Sequence, residues 1–363
     1  MSNKVGIVTF HNAHNYGAVL QAYALHRKLS LMGFDPVFIQ DQEDFVGEKY
    51  SLYPTLNGKQ YLRYAKAWVK LLLDYSRRKK RHVAFMDFIA NYLPICKLGN
   101  KSIQFDSVAL GSDQIWNPNI TKNIKDIYFG INEQIITDNI FSYAASMGNG
   151  MTEVNFTENF KEKLSTLQNL GVRESSLGDM IYDKFSLNHS INLDPTLLLE
   201  KAEWDKLVGH SDITERYLLV YEVEKNENTQ AVVDLIAKRM DLKVKVISSK
   251  LNGESFSNEI TTASPIEFLS LFKNANFVVT TSFHGTVFSI INEIPFFTIK
   301  FNNGVDLRSS GLLTSVELQE RHINSIDDID DISELEIDFT RANNQLSKLR
   351  SISEKYLENS LTK

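Results

Sequence analysis

The sequence predicts an α/β protein built from two halves, each with a parallel sheet covered by helices. The main observation is alternation, since short apolar, β-branched runs recur along the chain with helical patterns between them, as in parallel strands joined by helices. The length of 363 residues exceeds one ordinary core and favours two domains of roughly 150 residues or more. A polar stretch over residues 201–216 separates two series of strands.

The first series predicts an N-terminal Rossmann-like domain over residues 1–200. Its first strand is KVGIVTF, residues 4–10, and a helix follows because Leu20, Tyr23 and Leu25 recur at helical spacing up to about Leu31. The later strands of this series are FDPVFIQ from Phe34, SVALGS from Ser107, NIFSYAAS from Asn139, NLGVRE from Asn169 and SINLDPT from Ser190.

The second series predicts a C-terminal Rossmann-like domain over residues 201–338. Residues 339–363 form a charged helical pattern, which we expect to be a helix that packs across both domains. The acidic run IDDIDDIS near Asp327 resembles paired carboxylates that bind a metal, but it follows no strand and is expected to be a loop. The strands of this series are YLLVYEV from Tyr217, KVKVISS from Lys243, NFVVTTS from Asn276 and IPFFTIK from Ile294.

Residues 44–100 interrupt the alternation and predict a helical insertion with no clear strand. The segment contains one or two amphipathic helices and the basic run RRKKR, from Arg77 to Arg81. Such a run is typical of a solvated helix face. The alternative is a patch that binds an acidic surface or the phosphates of a lipid carrier.

Composition excludes several classes of function. A net charge of −6 gives no general attraction to nucleic acid. The single cysteine, Cys96, excludes an intrachain disulfide and a cysteine zinc cluster. His11 and His14 have no carboxylate or cysteine nearby to complete a metal shell, so no metal is expected. The chain enters its first strand directly and contains no apolar run near ~18 residues, so we expect a cytoplasmic protein.

Polar residues cluster where strands end, which is where open α/β sheets bind ligands. After the first strand, HNAHNYGAVLQAYAL begins at His11, and its Asn15, Tyr16 and Gly17 are candidate ligand-binding residues. A glycine there lets the backbone approach a ligand closely. The stretch therefore predicts one wall of a binding site.

The stretch GSDQIWNP, residues 111–118, follows another apolar strand. Asp113 either caps the next helix or accepts a proton from a sugar hydroxyl. Trp116 offers an aromatic face for a sugar ring.

Two more strand ends carry candidate residues. In GVRES, Arg173 either forms a salt bridge with Glu174 or another acid, or binds a carboxylate or phosphate through its planar guanidinium. In TTSFHGT, His284 lies at the rim of a hydroxyl-rich turn that begins a helix, which is typical of an anion site. The other candidate residues of this turn are Ser282, Gly285 and Thr286.

Together these stretches resemble the polysaccharide pyruvyltransferase family. The resemblance implies a fold like the two-domain glycosyltransferases called GT-B, with the site in the cleft between the halves. It also implies that an enolpyruvyl unit passes from phosphoenolpyruvate to a sugar of a polysaccharide precursor, leaving a pyruvate ketal and phosphate, with no further cofactor. The matching segments are NYGAVLQAYAL, GSDQIWN, YAASMG, VRES, DPTLL and TTSFHGT.

The resemblance assigns roles to residues by position. Members of the family often have Arg-Leu-His where this chain has Ser-Phe-His, so His284 carries over and another cation must replace the arginine. We expect His284 to be the general acid, with a pKa near neutrality, and Asp113 to be the base for the sugar hydroxyl. The candidate cations are Arg173 first, then Lys300 and Arg308.

Two other classes of function remain open. A nucleotide-sugar glycosyltransferase of the GT-B type would use the same cleft, and a noncatalytic binding protein would use it without chemistry. The expected partners of the pyruvyltransferase are phosphoenolpyruvate and a sugar acceptor, which in this family is commonly linked to polyprenyl phosphate. The basic run from Arg77 to Arg81 would then touch the inner face of the membrane.

Overall fold

The first half of the protein is a parallel sheet. A computed structural model describes residues 3–41, 47, 49–54, 61–210, 213–248, 259–304, 306–329 and 335–362. The order of the central sheet is β3-β2-β1-β5-β7. Bridges from β7 and the residues after it extend the sheet towards β8 and β9. The strands of this half are β1 (Lys4–Val8), β2 (Asp35–Gln40), β3 (Ile95–Lys97), β4 (Ile103–Gln104), β5 (Ser107–Leu110), β6 (Ile135–Ile136), β7 (Ile140–Ser142), β8 (Gly171–Val172) and β9 (Ser190–Ile191).

Seven helices accompany these strands in the described part of the chain. The helices are α1 (Tyr16–Leu31), α2 (Tyr61–Leu73), α3 (Tyr75–Tyr92), α4 (Pro118–Thr121), α5 (Glu158–Leu164), α6 (Ser175–Phe185) and α7 (Pro195–Leu198). The insertion contains the helices α2 and α3, in agreement with the one or two helices expected there. The expectation of no strand there was wrong, because β3 pairs with β2 at the sheet edge. A run of three residues is too short to show a strand period.

The second half is a six-stranded parallel sheet with the order β12-β11-β10-β13-β14-β15. Its central strands are buried on both faces, which explains their continuous apolar sequences. Its strands are β10 (Tyr217–Glu222), β11 (Lys243–Ser248), β12 (Glu259–Ile260), β13 (Phe277–Thr280), β14 (Phe296–Ile299) and β15 (His322–Ile323). The remaining helices are α8 (Lys201–Val208), α9 (Thr229–Met240), α10 (Pro265–Lys273), α11 (Phe283–Asn292), α12 (Leu307–Ser315) and α13 (Thr340–Leu361).

The protein thus has two Rossmann-like parallel sheets that face a cleft, and this GT-B-like arrangement confirms the predicted α/β fold class.

Asp327 lies in a short 3-10 turn, Ile326–Asp328, and part of the acidic run, residues 330–333, lies outside the described residues. None of the described helices has the length and apolarity needed to cross a bilayer.

The C-terminal helix α13 contacts both halves. On the first half, the Tyr356 hydroxyl donates a hydrogen bond to the Ser142 carbonyl oxygen at 2.7 Å. On the second half, the Asn343 side chain donates to Glu293 at 2.6 Å. The helix therefore ties the two sheets together on one side of the cleft.

Tyr16 and Arg81 join the halves at the start of α1. The Tyr16 ring stacks on Phe268 with centroids 4.4 Å apart, and its hydroxyl donates to the Ala263 carbonyl oxygen at 2.7 Å. Arg81 is buried and donates to the Thr261 carbonyl oxygen at 2.9 Å. Two expectations are therefore corrected. Tyr16 is a domain-interface residue and not a ligand residue, and Arg81 does not belong to the exposed basic face.

Candidate active site

A cavity of about 440 Å³ lies between the two halves, at the carboxyl ends of β1, β5, β13 and β14. This is the edge at which open parallel sheets bind ligands. The first half contributes Phe10, Ala13, Asn15, Ala18, Asp113, Gln114, Gly148 and Asn149, and the second half contributes Glu224, Thr281, Ser282, Phe283, His284, Asp306 and Arg308.

Two helix N-termini, one from each half, open into this cavity. Asn15 caps α1 by accepting a hydrogen bond from the Ala18 amide at 3.2 Å. Ser282 precedes α11, and its side chain makes no capping bond to that helix. Neither helix has an acidic residue in its first turn. Because a helix N-terminus has unpaired N–H groups and a partial positive charge, the cavity favours an anion.

Gly17 brings the two N-termini together. A Cβ atom on Gly17 would overlap Nδ1 of His284 and would lie 2.5 Å from Cε1 and 2.8 Å from Cγ of that ring. Only glycine therefore allows the His284 ring to lie against α1. The sequence predicted a close approach of this backbone to a ligand, and the structure instead shows a close approach to the candidate catalytic histidine.

His284 is buried at the start of α11. In the part of the chain that the structure describes, its Nε2 atom has no hydrogen-bond partner, and it lies 3.8 Å from Oδ2 of Asp194. Burial lowers the pKa of His284 to about 4, and the nearby Asp194 and Asp113 carboxylates oppose the shift. Burial thus favours the neutral imidazole, against the expected pKa near neutrality. An anion bound at this site would favour the protonated imidazole.

Arg173 is already paired inside the protein. Its guanidinium forms salt bridges with Asp194 at 2.7 Å and Glu174 at 3.2 Å, and all three side chains are buried. Burial alone would lower the pKa of Arg173, but the Glu174 and Asp194 carboxylates hold it above its usual value. These contacts favour the salt-bridge interpretation over the expected role of first cation for the donor.

Arg308 is a cation available to a ligand in the described part of the cleft. Its guanidinium lies 5.5 Å from the centre of the Phe283 ring and lines the cavity. Within the described residues it forms neither an ion pair nor a hydrogen bond. Lys300, the other candidate, does not line the cavity and acts electrostatically on His322 and Asp328 instead.

Asp113 faces His284 from the first half of the cleft. It lines the same cavity and acts electrostatically on the histidine. Its backbone φ of +73° is in the left-handed region, and such conformations of non-glycine residues concentrate at functional sites. Asn117, not Asp113, caps the following helix α4. The interpretation of Asp113 as the cap of that helix is therefore wrong. Its carboxylate accepts a hydrogen bond from the Gln114 amide at 2.8 Å.

Three predicted ligand residues are structural instead. Trp116 is buried, stacks on Phe129 at 5.7 Å and donates from Nε1 to the Tyr128 carbonyl oxygen, so it cannot hold a sugar ring. The Thr286 hydroxyl pairs with Thr298 at 2.7 Å. A Cβ on Gly285 would lie 2.8 Å from Cβ of Thr280. Gly285 and Thr286 therefore fasten α11 to the sheet.

Several lining residues were missed from the sequence. Gln114 and Asn149 approach the cavity from two neighbouring strand ends, and Asn117 hydrogen-bonds to both side chains at 2.8 and 2.9 Å. The GSDQIWN and YAASMG motifs pointed to these two strand ends but did not single out the two amides. Glu224, Thr281 and Asp306 also line the cavity.

We expect acid to destabilise the protein through its buried and half-buried histidines. Burial lowers the pKa of His14 to about 3 and that of His322 to about 4, as for His284. The unfolded chain, with pKa values near 6.5, binds more protons, so stability falls as the pH drops below about 6.5. Between pH 7 and pH 5 each ring should remove up to about 2 kcal/mol from the free energy of unfolding.

Urea denaturation at both pH values tests this expectation. His322→Gln, which is outside the cleft cavity, should lose less stability on acidification than the native chain. An equal loss in both proteins would contradict the assignment of His322.

Comparison with known proteins identifies the family. The family model described as polysaccharide pyruvyl transferase matches residues 15–303. A search of curated protein sequences gives no significant match.

Solved structures that resemble the chain have low identity. A UDP-GlcNAc 2-epimerase of Neisseria meningitidis is 8% identical, with 99% of each chain covered and a TM-score of 0.48. The enzyme of that name from Methanocaldococcus jannaschii is 11% identical, with 99% of this chain and 93% of that chain covered and a TM-score of 0.44. The E. coli heptosyltransferase WaaC is also 11% identical, with 98% of this chain and 99% of that chain covered and a TM-score of 0.41. The family match spans most of the chain and both faces of the cleft, and the protein therefore belongs to the polysaccharide pyruvyl transferase family, a family of transferases.

Proposed function

We propose that this transferase moves the enolpyruvyl unit of phosphoenolpyruvate onto a sugar of a polysaccharide precursor. The product is a pyruvate ketal, inorganic phosphate is released, and no further cofactor is needed. Family membership supports the reaction class. The observation that carries the proposal is the convergence of two helix N-termini, His284 and Arg308 on one cavity.

The donor has two anionic ends, and the cleft offers two positive sites. In the proposal, the phosphate binds at the N-termini of α1 and α11, next to His284, because the free N–H groups there suit a dianion. The carboxylate binds Arg308, whose planar guanidinium matches its two oxygens. Arg173 remains paired with Asp194 and Glu174 and supports the wall of the site.

The proposed chemistry uses one acid and one base. Protonated His284 delivers its proton to the methylene carbon, and the adjacent carbon becomes oxocarbenium-like. A sugar hydroxyl attacks that carbon and gives its proton to Asp113. The C–O bond to phosphate then breaks, and a second hydroxyl closes the ketal and gives its proton to the leaving phosphate. The proton on Asp113 returns to His284 through solvent, which restores the acid and the base. General acid and base groups of this kind typically contribute about 10² to 10⁴ in rate each.

The acceptor occupies the first-half side of the cleft in this proposal. Asp113, Gln114 and Asn149 lie there and can hydrogen-bond to sugar hydroxyls. A sugar carried on polyprenyl phosphate fits a polysaccharide precursor.

Phosphate release from phosphoenolpyruvate, measured across sugars and lipid-linked sugars, tests the function. Acceptor-dependent release supports the proposal. Release of a nucleoside diphosphate from a nucleotide sugar would instead identify a glycosyltransferase. Donor binding without turnover on any acceptor would favour a noncatalytic protein.

Arg308→Ala is expected to weaken phosphoenolpyruvate binding about 10- to 100-fold, because a hydrogen-bonded charge pair contributes roughly 1.5–3 kcal/mol. Arg308→Lys should recover part of the affinity, since it keeps the charge but not the planar fork. Calorimetric titration measures both. Arg341→Ala, at an exposed position of α13, is the matched control. Native affinity in Arg308→Ala would remove this residue from the site.

A further inference from the structure

Helix α2 has an apolar stripe that faces solvent. The side chains at positions 61, 65, 69, 72 and 73 recur at the spacing of one helix face. Leu72 is 70% exposed and Leu73 is 83% exposed. In the described part of the chain, eight of the sixteen exposed large apolar side chains lie between Tyr53 and Met86. The exposed apolar surface of this protein is therefore concentrated in the insertion.

Two side chains beside the stripe pack α2 against the rest of the described chain. Leu71 is buried, and the Trp68 ring lies 6.1 Å from the Tyr53 ring. The helix thus buries Leu71 and leaves the side chains of the stripe exposed. A large exposed apolar patch of this kind is typical of an interaction surface.

Exposed basic side chains lie on the same two helices of the insertion. Lys66 and Lys70 are exposed on α2, and Lys79 and Lys80 are exposed on α3. Arg77 is also exposed and forms a salt bridge with Asp74, the residue between the two helices. The combination of an apolar stripe and exposed lysines is the pattern of a helix that lies in a membrane interface.

We propose that this surface, formed by the stripe of α2 and the exposed bases of α2 and α3, binds an anionic lipid bilayer. Leu72 and Leu73 enter the boundary between headgroups and acyl chains, and the lysines contact lipid phosphates. The same surface on a second copy is a poorer partner, because two sets of like charges would meet. This inference does not depend on the donor or on the chemistry of the cleft.

Cosedimentation with vesicles tests the proposal. The native chain should pellet with vesicles of phosphatidylglycerol and phosphatidylcholine, bind pure phosphatidylcholine more weakly, and be released partly by salt. The double variant Leu72→Asp, Leu73→Asp should reduce partitioning about tenfold or more. Lys79→Glu with Lys80→Glu should remove the preference for anionic lipid.

Matched controls separate this surface from general effects. Val154→Asp places a charge at an exposed apolar position elsewhere, and Lys348→Glu with Lys355→Glu reverses two exposed charges on α13. Both should bind vesicles like the native chain, and thermal unfolding should show that every variant is folded. Equal binding by the α2 variant and Val154→Asp would overturn the proposal. Absence of vesicle binding by the native chain would also overturn it. In that case, self-association in sedimentation would identify a second copy as the partner.

Discussion

Replacing His284 with glutamine is expected to lower kcat about 10²- to 10⁴-fold, with the affinity for phosphoenolpyruvate close to native. Glutamine keeps a hydrogen-bonding group in the cleft but cannot deliver a proton. Because the ring is buried and Arg173 and Arg308 lie nearby, its proton is held weakly in the free protein. A bound dianionic donor would raise the pKa of His284, so donor binding and protonation of the ring are linked.

Single-turnover phosphate release and calorimetry separate the two effects. NMR titration of the imidazole should also report a pKa of about 4 for His284 without ligand, and a higher value with inorganic phosphate. His210→Gln, at an exposed position on the surface, is the control for the substitution itself. Native turnover by a folded His284→Gln variant would limit His284 to phosphate binding and place the acid elsewhere.

The fold was largely readable from the sequence because parallel strands buried on both faces produce continuous apolar runs. Each predicted run contains a strand of one of the two large sheets or of the β8–β9 pair. The strand β3 was missed because three residues at a sheet edge, including the half-buried Cys96, show neither an apolar run nor a period.

The candidate site was only partly readable. Position after a strand correctly placed Asn15, Asp113, Ser282 and His284 on the cavity. The position of a residue after a strand does not determine where its side chain points, however. Trp116 is buried in the core, whereas Asp113 at the same strand end faces the cleft.

The choice between the two arginines depended on distant partners. Arg173 is paired with Asp194, which lies 21 residues away along the chain, and no local pattern reports that contact. Arg308 lies on α12, well after the motif it would complete. The identity of the available cation is therefore a property of tertiary structure.

Gly17→Ala is expected to lower kcat about 10²-fold, since a displacement of about 1 Å in a catalytic group has effects of this size. The added methyl group would overlap the His284 ring, and the ring is buried and has little room to move. Overpacking of this kind typically costs about 1–3 kcal/mol of stability. The variant should therefore unfold at lower urea concentration and turn over slowly, with the fold retained.

The double variant Gly17→Ala, His284→Ala decides whether the clash with the ring is the cause. Removing the ring makes space for the new methyl group, so the double variant should be more stable than Gly17→Ala alone, a coupling that a double-mutant cycle measures directly. Gly311→Ala is the matched control, because a Cβ there meets no atom within 4 Å. That change, inside helix α12, should raise stability by about 0.5–1 kcal/mol and leave turnover unchanged. Additive stability losses in the double variant would mean that Gly17 acts on α1 itself, and that the contact between α1 and His284 does not set the geometry of the cleft.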